Sequence, residues 1–89
     1  MSPMNNAFEL LEDMAASAIY SEYKRATELF PKPFNSAHEA YAVLLEEMDE
    51  LWDAIKANDL KHAEYEAIQV GAMALKYLVQ VNSDANTRD

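Results

Sequence analysis

The chain has almost nothing to turn on: one glycine, Gly71, and three prolines, Pro3, Pro31 and Pro33, punctuate its 89 residues. Sheets need tight turns at short intervals, and those turns draw on Gly and Asn-Gly or Asp-Gly pairs. Their scarcity predicts long uninterrupted helices. The one dense break is Phe30-Pro31-Lys32-Pro33-Phe34. Each proline there lacks a backbone donor and pushes its predecessor out of the α region, so a helix must stop at it.

On both sides of that break apolar residues recur at intervals of three and four. After a lead-in at Met1 to Met4, Asn6 and Glu9 have capping-box spacing, and Phe8, Leu11, Ala15, Ala18, Ile19, Tyr23, Ala26, Leu29 and Phe30 follow. This pattern predicts a first helix over about 6–30. Its other side carries Glu12, Asp13, Glu22, Lys24, Arg25 and Glu28, the mixed signs of an ordinary solvated face. Ser36-Ala37-His38-Glu39 is a second capping box and starts a helix over about 37–57, in which Glu39 is expected to cap and His38 to be a surface or packing residue. Asn58 suits a left-handed helix end and Asp59 an N-cap, so a third helix is expected over about 60–81. Residues 82–89 read as a polar tail that frays.

The expected fold is therefore all-α, a single domain over 1–89 made of a helix, a proline-containing turn and an antiparallel helical hairpin. In the third helix, Ala67-Ile68-Gln69-Val70-Gly71-Ala72-Met73-Ala74-Leu75 has one polar side chain, which predicts a helix surrounded by others. A chain of this size buries only about 60% of its unfolded surface. An oligomeric helix bundle, a homodimer or homotetramer, is the expected remedy.

The second helix concentrates charge. From His38 to Asp53 it has six carboxylates and no lysine or arginine. At about 100° per residue, Tyr41, Leu44, Leu45, Met48, Leu51, Trp52 and Ile55 form one stripe, expected to bury, with Glu39, Glu46 and Glu50 opposite it. On this reading Tyr41 and Trp52 are core residues rather than a platform for a base. Glu46 and Glu50, Glu47 and Glu50, and Asp49 and Asp53 repel their neighbours by about 0.2–0.5 kcal/mol per pair. In a hairpin about Asn58 and Asp59, Glu50 lies eight residues before Asn58 and Glu66 eight after it. That symmetry sets the two acids at one height beside the polar stripe His62, Glu66, Gln69, Lys76 and Gln80.

Carboxylates converging from two helices suit a hard divalent cation such as Mg²⁺, or Mn²⁺ in its place, which shares its remaining positions with water and substrate phosphates. An acidic face that merely solvates itself is the plain alternative. The net charge of -9 argues against a grip on nucleic-acid backbones, and the absence of cysteine removes thiolate chemistry, disulfides and cysteine-rich zinc sites. No secretory signal pattern and no apolar run near the roughly 18 residues of a membrane span is present. The chain reads as soluble and cytoplasmic, with no membrane partner.

Glu46-Glu47-Met48-Asp49-Glu50 has the form E-E-x-x-E, with Glu66 downstream. In this the chain resembles the all-α nucleoside triphosphate pyrophosphohydrolases of the MazG kind, which carry E-x-x-D at the second position. From His38 to Leu78 it is similar to small phage-encoded members of that superfamily. The resemblance implies a helix-bundle dimer or tetramer that hydrolyses a nucleoside triphosphate to the monophosphate and pyrophosphate. It implies that Glu46, Glu47, Glu50 and Glu66 hold Mg²⁺, with Glu47 and Glu50 activating water. Gln69 stands where the family carries Asp; it can coordinate or position water but brings no charge. Lys76 is the single candidate on the third helix for holding the triphosphate beside Gln69. The competing reading is a non-catalytic helical oligomer whose acidic surface serves a protein partner.

Overall fold

In the computed structural model, residues 3–87 are described, with side-chain surroundings for residues 6–83. Three helices are present and, among the described residues, no strand: α1, Pro3–Leu29; α2, Ala37–Lys56; α3, Leu60–Thr87. The lead-in at Met1 and Ser2 and the last two tail residues, Arg88 and Asp89, lie outside the described residues. Among the described residues no helix is long and apolar enough to cross a membrane.

Helix α1 begins at Pro3, so Asn6 and Glu9 lie inside the helix and do not cap it. Proline is well placed in a first turn, where its missing N–H is an orphan in any residue. The helix stops at Leu29, two residues before Pro31. At the start of α2 the Ser36 hydroxyl accepts from the Glu39 amide at 3.1 Å, as expected of a capping box. The reciprocal bond reaches one residue further back than the motif predicts: the Glu39 carboxylate accepts from the Asn35 backbone N–H at 3.3 Å and the Asn35 side-chain amide at 2.7 Å. Asn58 takes the left-handed conformation, φ 58°, and the Asp59 carboxylate accepts from the His62 amide at 3.2 Å. α3 continues through Thr87, past Val81, where the apolar period ends.

Helix α3 is the spine. It packs against both α1 and α2, and among the described residues α1 and α2 do not touch each other. At the α1 contact Gly71 lies under Ile19, where a β-carbon on residue 71 would come within 2.8 Å of Ile19 Cδ1 and 3.0 Å of Cγ1. The small side chain of Ala72, 0% exposed, sits next to it. The proline connector is fastened to α3 from the side. Phe34 N–H donates to Gln80 Oε1 at 2.7 Å, Gln80 Nε2 donates to the Phe34 carbonyl at 2.9 Å, and Lys76 Nζ stands 4.6 Å from the centre of the Phe34 ring.

Three helices joined through one of them make an open shape of 48 × 37 × 20 Å. The radius of gyration is 15.5 Å, against about 12 Å for a compact domain of this length. The buried apolar residues are Phe34, Ala40, Ala54, Ala63 and Ala72, and none of the larger side chains is fully buried. The single stripe expected on α2 divides in two. Leu44 and Leu51 are half-buried, with Ala40 and Ala54 buried on either side of them, whereas Tyr41 is 66% and Trp52 56% exposed. Tyr41 and Trp52 are therefore not core residues of this chain, because a helix that packs on a single neighbour can hide only part of a stripe this wide.

Candidate metal centre

The connection Ala57-Asn58-Asp59 is short, and α3 packs against α2. Glu50 and Glu66, each eight residues from Asn58, meet there, and Glu47, one turn before Glu50, joins them. Glu47 and Glu50 of α2 and Glu66 of α3 each offer an oxygen, and these oxygens lie within 4.8 Å of one another. Glu66 is 4% exposed, Glu47 is half-buried, and Glu50 reaches solvent. The three thus run from the interior to the surface.

Glu66 has two different oxygens. Oε1 lies 3.0 Å from His62 Nε2, one turn earlier on α3, while Oε2 is buried and has no hydrogen-bond partner. A buried carboxylate oxygen without a donor is costly, since a lost partner typically leaves a penalty of about 1–3 kcal/mol, more for a charged group. That atom lacks a hydrogen-bond donor or a cation.

The same shortage appears at its neighbours. Burial pushes the Glu47 carboxyl up to about 7, and the adjoining Glu66, Glu50 and Glu46 carboxyls push it the same way. Glu50 is also raised, chiefly by Glu66. Near neutral pH this group of acids holds a proton in place of a cation. Below it opens a cleft of about 460 Å³ lined by Glu50, Asp53, Asp59, His62 and Glu66, with Ala54 and Ala57 between them.

The other residues singled out in the sequence fall elsewhere. Glu46 is exposed and outside the three-oxygen group, though close enough to raise Glu47. Gln69, one turn beyond Glu66, is half-buried, with its Nε2 buried and without a partner. Lys76 lies ten residues from Glu66, roughly 15 Å along the helix, over the Phe34 ring. His38 is exposed at the far end of α2.

The sequence reading undervalues two neighbours of the site. His62 is one; its pairing with Glu66 was written in the i,i+4 spacing, but only the burial of Glu66 gives the pair weight. Glu22 is the other. Its charge alternates with lysine and arginine as a solvated face would, yet its side chain is 12% exposed and grips Arg25 at 2.6 and 2.8 Å. The Arg25 guanidinium holds the Glu22 carboxyl below its ordinary range, with a smaller contribution from the Gln69 amide, which comes near without completing a well-aligned hydrogen bond. No family model matches the chain, and neither does any curated protein or solved structure.

Proposed function

We propose that this chain is a Mg²⁺-dependent nucleoside triphosphate pyrophosphohydrolase of the MazG kind, working in the cytoplasm as a helix-bundle homo-oligomer in which α2 and α3 form an antiparallel hairpin. The observation that carries the reading is the orphaned Glu66 Oε2, 4% exposed as a residue, within reach of Glu47 and Glu50. The donor set is all oxygen and all acidic, which suits a hard cation and excludes a soft one.

Glu47, Glu50 and Glu66 would hold the cation, with Glu46 entering as the outermost acid. Bound there, it would neutralise phosphate oxygens and ease the deprotonation of water. His62 fixes one Glu66 oxygen by hydrogen bond and so limits its rotation. Glu47 would take the proton from the attacking water, helped by Glu50. The water oxygen bonds to the α-phosphorus and the bond from that phosphorus to the bridging oxygen breaks. Pyrophosphate leaves with the electron pair, and the proton stays on Glu47. Gln69 would orient water or a phosphate oxygen without adding charge.

The test is pyrophosphate release from the common nucleoside triphosphates with and without Mg²⁺, on the unaltered chain and on Glu50→Gln. Release that needs Mg²⁺ and is lost in the variant supports the reading. No release from any of them sinks it. Two observations favour the second reading, a non-catalytic helical oligomer: the single lysine considered for the triphosphate is engaged with Phe34, and Gln69 adds no charge to the acids.

A further inference from the structure

Tyr41, Leu45, Met48, Trp52 and Ile55 follow one another on α2 at intervals of four, three, four and three. That is the 3.5-residue period of a coiled-coil seam, in which each side chain sits as a knob in a hole of a facing helix. All five are exposed, at 66, 44, 48, 56 and 46%. The residues by which α2 meets α3, Ala40, Leu44, Leu51 and Ala54, follow the same rhythm one step away. They are turned roughly 100° around the helix from the exposed seam. Helix α2 is thus written for two neighbours and has one.

We propose that the seam Tyr41, Leu45, Met48, Trp52 and Ile55 is the surface on which a second copy of this chain docks, seam against seam about a twofold axis. The proposal deepens the self-association in the proposed function by naming its surface, and it rests on that reading only for the existence of an oligomer.

Area argues for this occupant. The chain exposes 6924 Å², whereas a compact monomer of 10.1 kDa exposes about 5,300 Å². The surplus, about 1,600 Å² over the whole chain and shared with the exposed apolar residues of α1, exceeds the roughly 800 Å² per partner of a standard stable interface. An apolar stripe of this regularity pairs with itself, as an isologous contact requires. Charge is compatible as well. The seam contains no ionisable carboxylate, and Glu46, Glu47 and Glu50 stand more than about 100° away from its midline, so two chains of net charge -9 can meet there without setting one acid cluster against the other.

Trp52 is the only tryptophan of the chain, which makes the seam its own reporter. Sedimentation of the unaltered protein should give twice the 10.1 kDa chain mass or a multiple of that. Trp52 emission should be blue-shifted and shielded from acrylamide wherever the protein sediments so, moving toward the solvent-exposed spectrum as dilution produces single chains. Met48→Glu should sediment as a single chain with its helicity kept, while Leu10→Glu, which alters a still more exposed position on α1, should leave the mass unchanged. A single-chain mass for the unaltered protein at tens of micromolar, an associated species with fully solvated Trp52, or a folded Met48→Glu of unchanged mass would each overturn the proposal. Should Met48→Glu not fold, Trp52 shielding in the unaltered protein decides. Pyrophosphate release enters none of these readouts, so the interface and the hydrolase reading can fail separately.

Discussion

Glu66 and His62 are one helical turn apart on α3, and the histidine satisfies one carboxylate oxygen at 3.0 Å while the other is buried with no donor. The pair is half complete. Replacing Glu66 by Gln removes the buried negative charge but keeps its volume, so without metal the variant should be more stable than the unaltered chain by about 1 kcal/mol or more. For a chain of this size that is a rise of about 4–8 °C in Tm. Millimolar Mg²⁺ or Mn²⁺ should then stabilise the unaltered chain and leave Glu66→Gln unmoved. Equal metal shifts in both, read by thermal denaturation at constant ionic strength, would remove Glu66 from the site.

The proton on Glu47 gives stability a pH dependence with a definite sign. The folded chain holds it up to about 7, the unfolded chain only to the ordinary 4.5. The stabilisation is therefore complete below about 4.5 and is lost as pH rises through about 7, with the raised Glu50 adding in the same direction. Glu22, lowered by Arg25, acts oppositely and on the acid side of this window. Urea midpoints without metal should fall between pH 5 and pH 7.5. Mg²⁺ should close the gap, because it takes over at high pH the charge compensation that the proton provides at low pH. Glu47→Gln should flatten the profile; an unchanged profile would assign the dependence elsewhere.

Gly71→Ala tests the α1 contact. Alanine gains about 1 kcal/mol in helix propensity, but its β-carbon would meet two atoms of the Ile19 side chain at 2.8 and 3.0 Å. Ile19 is β-branched and stiff, so overpacking of about 1–3 kcal/mol should win and the variant should lose stability. Shortening Ile19 to Ala in the same chain should reverse the sign of the Gly71→Ala effect, a double-mutant cycle measurable by chemical denaturation.

The connector predicts a separation between stability and chemistry. Gln80→Leu deletes two hydrogen bonds to the Phe34 backbone and should cost about 1–3 kcal/mol. Lys76→Met removes the cation over the Phe34 ring and should cost about 0.5–1 kcal/mol. Neither should change the KM of pyrophosphate release, since both residues act on Phe34. A raised KM in Lys76→Met alone would return that lysine to the triphosphate.

Much of the fold could be read from local chemistry. Proline chemistry dictated the stop after Leu29, and the caps at Ser36 and Asp59 with the left-handed Asn58 fixed the helix starts and the tight return. These are interactions within a few residues, which is why spacing reveals them. The meeting of Glu50 and Glu66 was also legible, because equal distance from one turn sets them at one height, and Glu47 follows as the acid one turn from Glu50. What spacing left open was depth. Whether Tyr41 and Trp52 are buried depends on how many helices surround α2, and whether Glu22 is a surface charge or a buried one depends on where α1 lies against α3. Those are facts of packing between distant segments, and a helical period constrains only the face on which a residue sits. The start of α1 was missed for a related reason: a capping-box pattern inside a helix looks the same as one at its end.

Since α1 and α2 both contact α3 but not each other, the chain is mechanically a series of two joints rather than a closed ring. Between the two joints the connector adds one tie to α3, the pair of Phe34–Gln80 hydrogen bonds. Opening the α1 joint leaves the pairing of α2 with α3, and the acids it gathers, without an obligatory change. Amide hydrogen exchange should therefore resolve two opening steps, an easier release of α1 and a harder release of the remaining pair. The acids belong to the slower one, so the cluster can outlast the molecule's loosest motion.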